Sequence, residues 1–193
     1  MKKFKKALVL FLCAVLLVAG SVAGTLAYLQ SQSATANNTF TVGTLSITLD
    51  EAKTDEYGVK LEEPRVTANE YKLVPGHLYT KDPVVHVAAG SEPCYLFVDV
   101  ADGLAAIEDD VTIAAQMAAK GWKHLEGNVW YYNAIIDART AAQDVVVFET
   151  FKLKGDADVA SYASAAITIT AYAAQSDGFE NATQAWDACF ATP

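Results

Sequence analysis

Between residues 165 and 173 the chain alternates: Ile167 and Ile169 fall on one side of an extended backbone, Thr168, Thr170 and Tyr172 on the other. Strand side chains point to opposite faces with a period of two, so this pattern fits a half-buried strand and not a helix. Residues 84–88 and 95–100 predict two more strands, separated by the turn-forming Gly90-Ser91-Glu92-Pro93. Tyr95-Leu96-Phe97-Val98 is apolar on both parities, which predicts a central strand covered on two sides. Residues 122–125 and 129–133 read as a hairpin turning at Glu126-Gly127-Asn128. Residues 145–153, with Phe148 and Phe151, read as one long strand. Two helices interrupt the strands. Asp109-Asp110 and Gly121 frame a short one over residues 111–120, with Ile113 and Met117 as its buried side. Asn181 caps a last one, with Ala182, Ala185, Trp186 and Cys189 at helical spacing. Seven or eight short strands with two small helices predict a mostly β fold, an antiparallel β-sandwich.

The pattern is less regular near the start. In residues 39–49, Phe40 and Val42 share one parity, whereas Leu45, Ile47 and Leu49 share the other. The slip at Gly43-Thr44 would turn later side chains to the wrong face unless the strand bulges or bends there, which glycine permits. The expectation is a bulged strand or two pieces that move separately. Residues 50–71 are charged and weakly patterned, and read as loop with one short strand near residues 59–61; Pro75-Gly76 marks a tight turn.

The first segment has the three parts of an export signal. Lys2, Lys3, Lys5 and Lys6 precede an unbroken apolar run over residues 7–19, and small residues follow. A helix of that length spans about 20 Å against a hydrocarbon core of about 30 Å, too short for a comfortable crossing. Small side chains at Thr25 and Ala27 place cleavage between Ala27 and Tyr28. This predicts a signal peptide over residues 1–27 and a single secreted domain over residues 28–193, on the cell surface or in the extracellular matrix. The alternative is an uncleaved leader acting as a membrane anchor. The leader carries four of the 14 basic residues and no acidic one, leaving 10 basic against 23 acidic residues, a net charge of −13. Such a surface disfavours nucleic acid and anionic lipid as partners. Cys13 follows Leu12, not the small residue of a lipoprotein site, and reads as apolar filler. Cys94 and Cys189 remain in the exported part. In an oxidising compartment they could pair, which would add roughly 4–5 kcal/mol in the chain-entropy model, or stay as two separate thiols.

The sequence carries no recognisable catalytic motif: H-E-x-x-H, G-x-S-x-G, a phosphate-binding loop and C-x-x-C are all missing. His77, His86 and His124 are not spaced as a local zinc site. Asp156-Ala157-Asp158 and Glu108-Asp109-Asp110 lack EF-hand spacing and read as solvated loops. Trp122, Trp130, Tyr131 and Tyr132 could form a sugar platform or a cross-strand packing cluster, and packing is the simpler account. No catalytic residue, metal ligand or cofactor is assigned.

Four stretches resemble the TasA/camelysin family of exported Gram-positive proteins. The leader exit Gly24-Thr25-Leu26-Ala27-Tyr28, followed by Asn38-Thr39-Phe40-Thr41-Val42-Gly43-Thr44-Leu45, looks like that family's signal and first strand. Leu73-Val74-Pro75-Gly76 with Thr80-Lys81-Asp82-Pro83, the strand at residues 95–100, and the ending at residues 171–179 with Ala185-Trp186 resemble it as well. The resemblance implies a jelly-roll domain, export through a SipW-type signal peptidase, and assembly into biofilm matrix fibres. In such fibres the N-terminal segment of one subunit can complete the sheet of the next, a copy of itself or a related subunit. Residues 28–42 suit that role: a polar lead, then Phe40 and Val42 as anchors, then Gly43 as a hinge. Thr39, Phe40, Thr41, Val42 and Gly43 form the donor strand of this reading. The alternatives are a monomeric adhesin module and, with less support, a camelysin-like metallopeptidase, for which no zinc-protease motif is present. The ending Ala191-Thr192-Pro193 is not an L-P-x-T-G-like sorting tail, so covalent wall anchoring by that route is not expected.

Overall fold

A computed structural model describes residues 43–191. The leader, the Ala27–Tyr28 junction and Thr39, Phe40, Thr41 and Val42 lie outside the described residues, and Gly43 is the first one inside. The described residues are mostly β, with nine strands: β1 (Ile47–Asp50), β2 (Leu78–Thr80), β3 (Val84–Val87), β4 (Cys94–Asp102), β5 (Trp122–Glu126), β6 (Val129–Tyr132), β7 (Gln143–Val146), β8 (Thr150–Lys152) and β9 (Ile167–Gln175). Two α-helices accompany them: α1 (Ile113–Ala119) lies between β4 and β5, and α2 (Ala182–Cys189) follows β9. Among the described residues no helix is long and apolar enough to cross a membrane.

Every strand pair is antiparallel. The sheets run β1-β3-β7, β5-β6-β4-β9, and a short ribbon β2-β8. Val85, Val87 and Val145 from the three-stranded sheet share one core with Cys94, Leu96, Val98 and Val100 from the four-stranded sheet. Trp122 is buried in the same core, and its indole N–H donates to the Val146 carbonyl at 2.9 Å. β4 has the two-sided cover its sequence predicts. Its even-numbered side chains enter the core, while Phe97 meets Ala182, Ala185 and Trp186 of α2 on the other face.

Three expectations need correction. Residues 145–153 do not form one strand: β7 ends at Val146 and β8 begins at Thr150, in different sheets. The buried Val147 and Phe148 between them turn the corner inside the core, which explains their apolarity on both parities. The cap of α1 is Thr112, whose hydroxyl accepts from Ala115 N–H at 3.2 Å, rather than the Asp109-Asp110 pair. Asp109 instead pairs with Lys152 at 2.6 Å. Cys189 is exposed, not on the buried side of the last helix. Of the two arrangements left open for Cys94 and Cys189, the structure has two separate free thiols. Cys94 points into the inter-sheet core while α2 lies on the opposite face of the same sheet, so the sheet itself separates the sulfurs. Burial pushes the Cys94 thiol up to about 11, which keeps it protonated and unreactive.

Near Gly43 the turned-in parity is that of Leu45, Ile47 and Leu49, all half-buried against the core. Gly43 itself lies against Glu92, where an added Cβ would stand 2.7 Å from the Glu92 side chain. The Trp122–Tyr132 and His124–Trp130 pairs meet edge-on at 5.4 and 5.2 Å, an arrangement of cross-strand packing.

Candidate functional site

The strand order leaves two sheet edges beside each other. β9 pairs along all nine residues with β4, from Ile167↔Asp102 to Gln175↔Cys94, and among the described residues nothing pairs with its outer edge. β1 pairs only with β3 inside its sheet. Between these edges lies a groove that holds a cavity of about 320 Å³, lined by Leu49 and Asp50 from one side and Ile167 and Ile169 from the other. A second depression of about 290 Å³ shares Asn69, Lys81, Ala166 and Ile167 with the first and runs on toward Tyr71 and Phe151.

The groove has an apolar floor and a polar wall. Ile167, Ile169, Ala171 and Ala173 all point toward the core, yet each is only half-buried. Thr168 and Thr170 on the other face are exposed, as their alternation predicts. A nine-residue edge of this kind offers about four residues' worth of unpaired backbone donors and acceptors, a template for another strand.

The wall is built by residues 50–54, 65–71 and 80–83. Arg65 bonds the Asp50 carboxylate, reaches Asp82 Oδ2 at 3.3 Å, and donates to the carbonyls of Asp50 and Asp82 at 3.1 and 2.8 Å. Asp82 Oδ1 accepts from Ala52 N–H at 2.6 Å. Lys81 and Glu51 form an ion pair at 2.6 Å with side chains only 9% and 5% exposed. Asn69 locks the same region, with Nδ2 donating to Glu51 Oε1 at 3.1 Å and to Ala52 O at 2.8 Å, while Oδ1 accepts from Thr54 N–H at 3.0 Å. Tyr71 donates to Thr80 O at 3.0 Å. Burial, helped by the Glu51 charge, pushes its phenol up to about 12.

On the outer face of the three-stranded sheet, His86 sits between two carboxylates. Its Nε2 lies 3.0 Å from Asp50 Oδ1 and its Nδ1 2.7 Å from Asp144 Oδ1. Only an imidazolium donates from both nitrogens. The hydrogen bond to Asp50 raises His86 against the opposing effect of burial, and Asp144 adds to it. Burial works to raise Asp50, but the hydrogen bonds from Arg65 and His86 outweigh it and hold the carboxyl below its usual range. One side chain therefore ties β1, β3 and β7 together.

The other residues singled out from the sequence are scattered. His77 contacts Tyr57 O at 2.8 Å and His124 contacts Gly127 O at 2.9 Å. Among the described residues no group of three His, Cys, Asp or Glu side chains is placed to hold a metal ion. Of the assigned donor strand only Gly43 is described. Sequence pattern does not mark Glu51, Asn69, Arg65 or His86 as site residues, and it places Lys81-Asp82 only within the family-like segment. A charged residue flanked by apolar strands, as Lys81 is by residues 78–80 and 83–85, is the one local signal of a buried charge there.

Compared with protein-family models, with curated proteins and with solved structures, the chain matches none.

Proposed function

We propose that this chain is a secreted structural subunit of an extracellular biofilm matrix fibre of the TasA/camelysin kind. Its donor strand, Thr39 to Gly43, adds to the outer β9 edge of the next copy or of a related subunit. The observation that carries this reading is the nine-residue β9 edge, unpaired among the described residues and floored by half-buried Ile167 and Ile169. An incoming strand would bond the edge through its main chain, and alternate apolar side chains would cover the floor. Residues 28–42 contain no charged side chain, so they enter an apolar groove without desolvating an ion. Fully extended, those 15 residues reach about 50 Å, enough to span to a neighbouring subunit. The contact is head-to-tail and does not close on itself, which makes a filament rather than a ring. Export through residues 1–27, cleavage between Ala27 and Tyr28 by a SipW-type peptidase, and a jelly-roll arrangement of the sandwich belong to the same reading. The function is structural, without catalysis or cofactor.

A peptide of residues 28–45, added to a domain beginning at Gly43, tests the pairing by amide hydrogen exchange. Protection appearing along residues 167–175 supports strand addition at β9. An unchanged exchange pattern there removes the site from the account.

A further inference from the structure

The groove wall holds an arrangement that the fibre reading does not use. Glu51 offers one carboxylate oxygen to the Lys81 amine at 2.6 Å and the other to the Asn69 carboxamide nitrogen at 3.1 Å. An amine nucleophile and an amide electrophile thus share one acid–base group. The carboxamide oxygen of Asn69 already accepts a backbone hydrogen bond from Thr54, at 3.0 Å, which is where charge would develop during attack on Cγ. Lys81, Glu51 and Thr54 are 8%, 4% and 4% exposed. Thr54 Oγ1, next to this site, is buried with no hydrogen-bond partner.

We propose that Lys81 Nζ and Asn69 Cγ join in a spontaneous intramolecular isopeptide bond, with Glu51 as the proton carrier. The proton count closes within these three side chains. The Lys81 ammonium passes a proton to the Glu51 carboxylate, which leaves a neutral amine. That amine attacks Cγ of Asn69, and the Thr54 N–H holds the resulting oxyanion on Oδ1. Glu51 gives its proton to Nδ2 and accepts another from the Lys81 nitrogen. The Cγ–Nδ2 bond breaks and ammonia departs. The products are a secondary amide and a protonated Glu51, so a buried charge pair becomes a neutral site. The starting pair is held out of water at a desolvation penalty that an amide does not carry, which favours the product. Proximity supplies the rest, because ordinary amides resist amines in solution chiefly for want of a held geometry and a placed proton carrier. The bond closes a loop between positions 69 and 81 and fixes the wall beside β9, whether or not the protein forms fibres.

Intact-mass spectrometry of the purified chain of residues 28–193 tests this directly. The expected mass is lighter than the sequence of those residues by one ammonia. Trypsin then fails to cut after Lys81 and releases residues 66–72 joined to residues 73–120 as one branched peptide, located by fragmentation at Asn69 and Lys81. Asn69→Ala and Lys81→Arg each restore the unmodified mass, and Glu51→Gln reduces formation of the branched peptide at least tenfold. A wild-type mass with no ammonia loss overturns the proposal. So does an ammonia loss that persists in Lys81→Arg, which would mark cyclisation of Asn69 onto its own backbone.

Discussion

Replacing Ile169 with Thr separates a groove waiting for a strand from one already filled. Ile169 points inward from β9 but is only half-buried, and it lines the cavity between the sheet edges. Threonine keeps the β-branch and the strand preference, so the backbone is not the variable. The change exchanges an ethyl group for a hydroxyl, about two methylenes of apolar burial, or about 1.6 kcal/mol for a fully covered site. At half cover the isolated domain loses roughly 0.8 kcal/mol. The other half is lost only on assembly, together with about 1 kcal/mol for covering a hydroxyl without a partner. The subunit contact therefore weakens by about 2 kcal/mol, close to thirtyfold in affinity. Urea denaturation measures the first quantity, and the critical concentration for filament formation measures the second. Thr170→Ala, on the exposed face of the same strand, serves as the control and moves neither by more than about 0.5 kcal/mol. A stability loss of about 2 kcal/mol or more with unchanged assembly would refute the reasoning, because Ile169 would then be covered within the subunit.

Three further outcomes follow from buried or paired groups. Burial, then the neighbouring Asp102 charge, pushes Glu108 up to about 7, so it binds more protons folded than unfolded. Stability accordingly falls as pH rises from about 4.5 to about 7, and Glu108→Gln flattens that slope in thermal melts. His86 is raised by its carboxylate partners, so its contribution is complete below pH about 6.5 and disappears as pH climbs through the raised folded value. His86→Gln removes that upper step, and an unchanged melting profile above neutrality would contradict the three-strand tie. A thiol reagent labels Cys189 promptly in the folded protein and reaches Cys94 only with denaturant; equal labelling rates would contradict the buried placement of Cys94.

Much of the fold is readable where one strand or helix carries its own pattern. β9 alternates over its first half because Ile167 and Ile169 meet the core while Thr168 and Thr170 meet solvent; beyond them Tyr172 and Ala174 pack under α2. β4 is apolar on both parities because Leu96 faces the other sheet while Phe97 faces α2. Asn181 and the Ala182–Ala185–Trp186 spacing announce α2, and the side chain does cap it, accepting from Gln184 N–H at 2.9 Å. Cys189 keeps that spacing as the last residue of α2 but is exposed, and the next residue, Phe190, carries the packing onto Phe97 and Tyr172. The division of residues 143–152 between two sheets is invisible in pattern, since buried corner residues and strand residues are equally apolar. The groove is less legible still. Which strand lies at an edge depends on strand order, and order follows from contacts between distant segments. Glu51, Asn69 and Lys81 likewise meet only in the folded chain, and apart from the apolar flanks of Lys81 nothing in sequence sets them apart from ordinary surface residues.

The central claim is strand exchange between copies, and negative-stain microscopy of residues 28–193 over time and concentration tests it most directly. The account predicts filaments from that chain and a folded, non-polymerising domain once residues 28–42 are deleted. Filaments formed equally well by the deleted chain would contradict it.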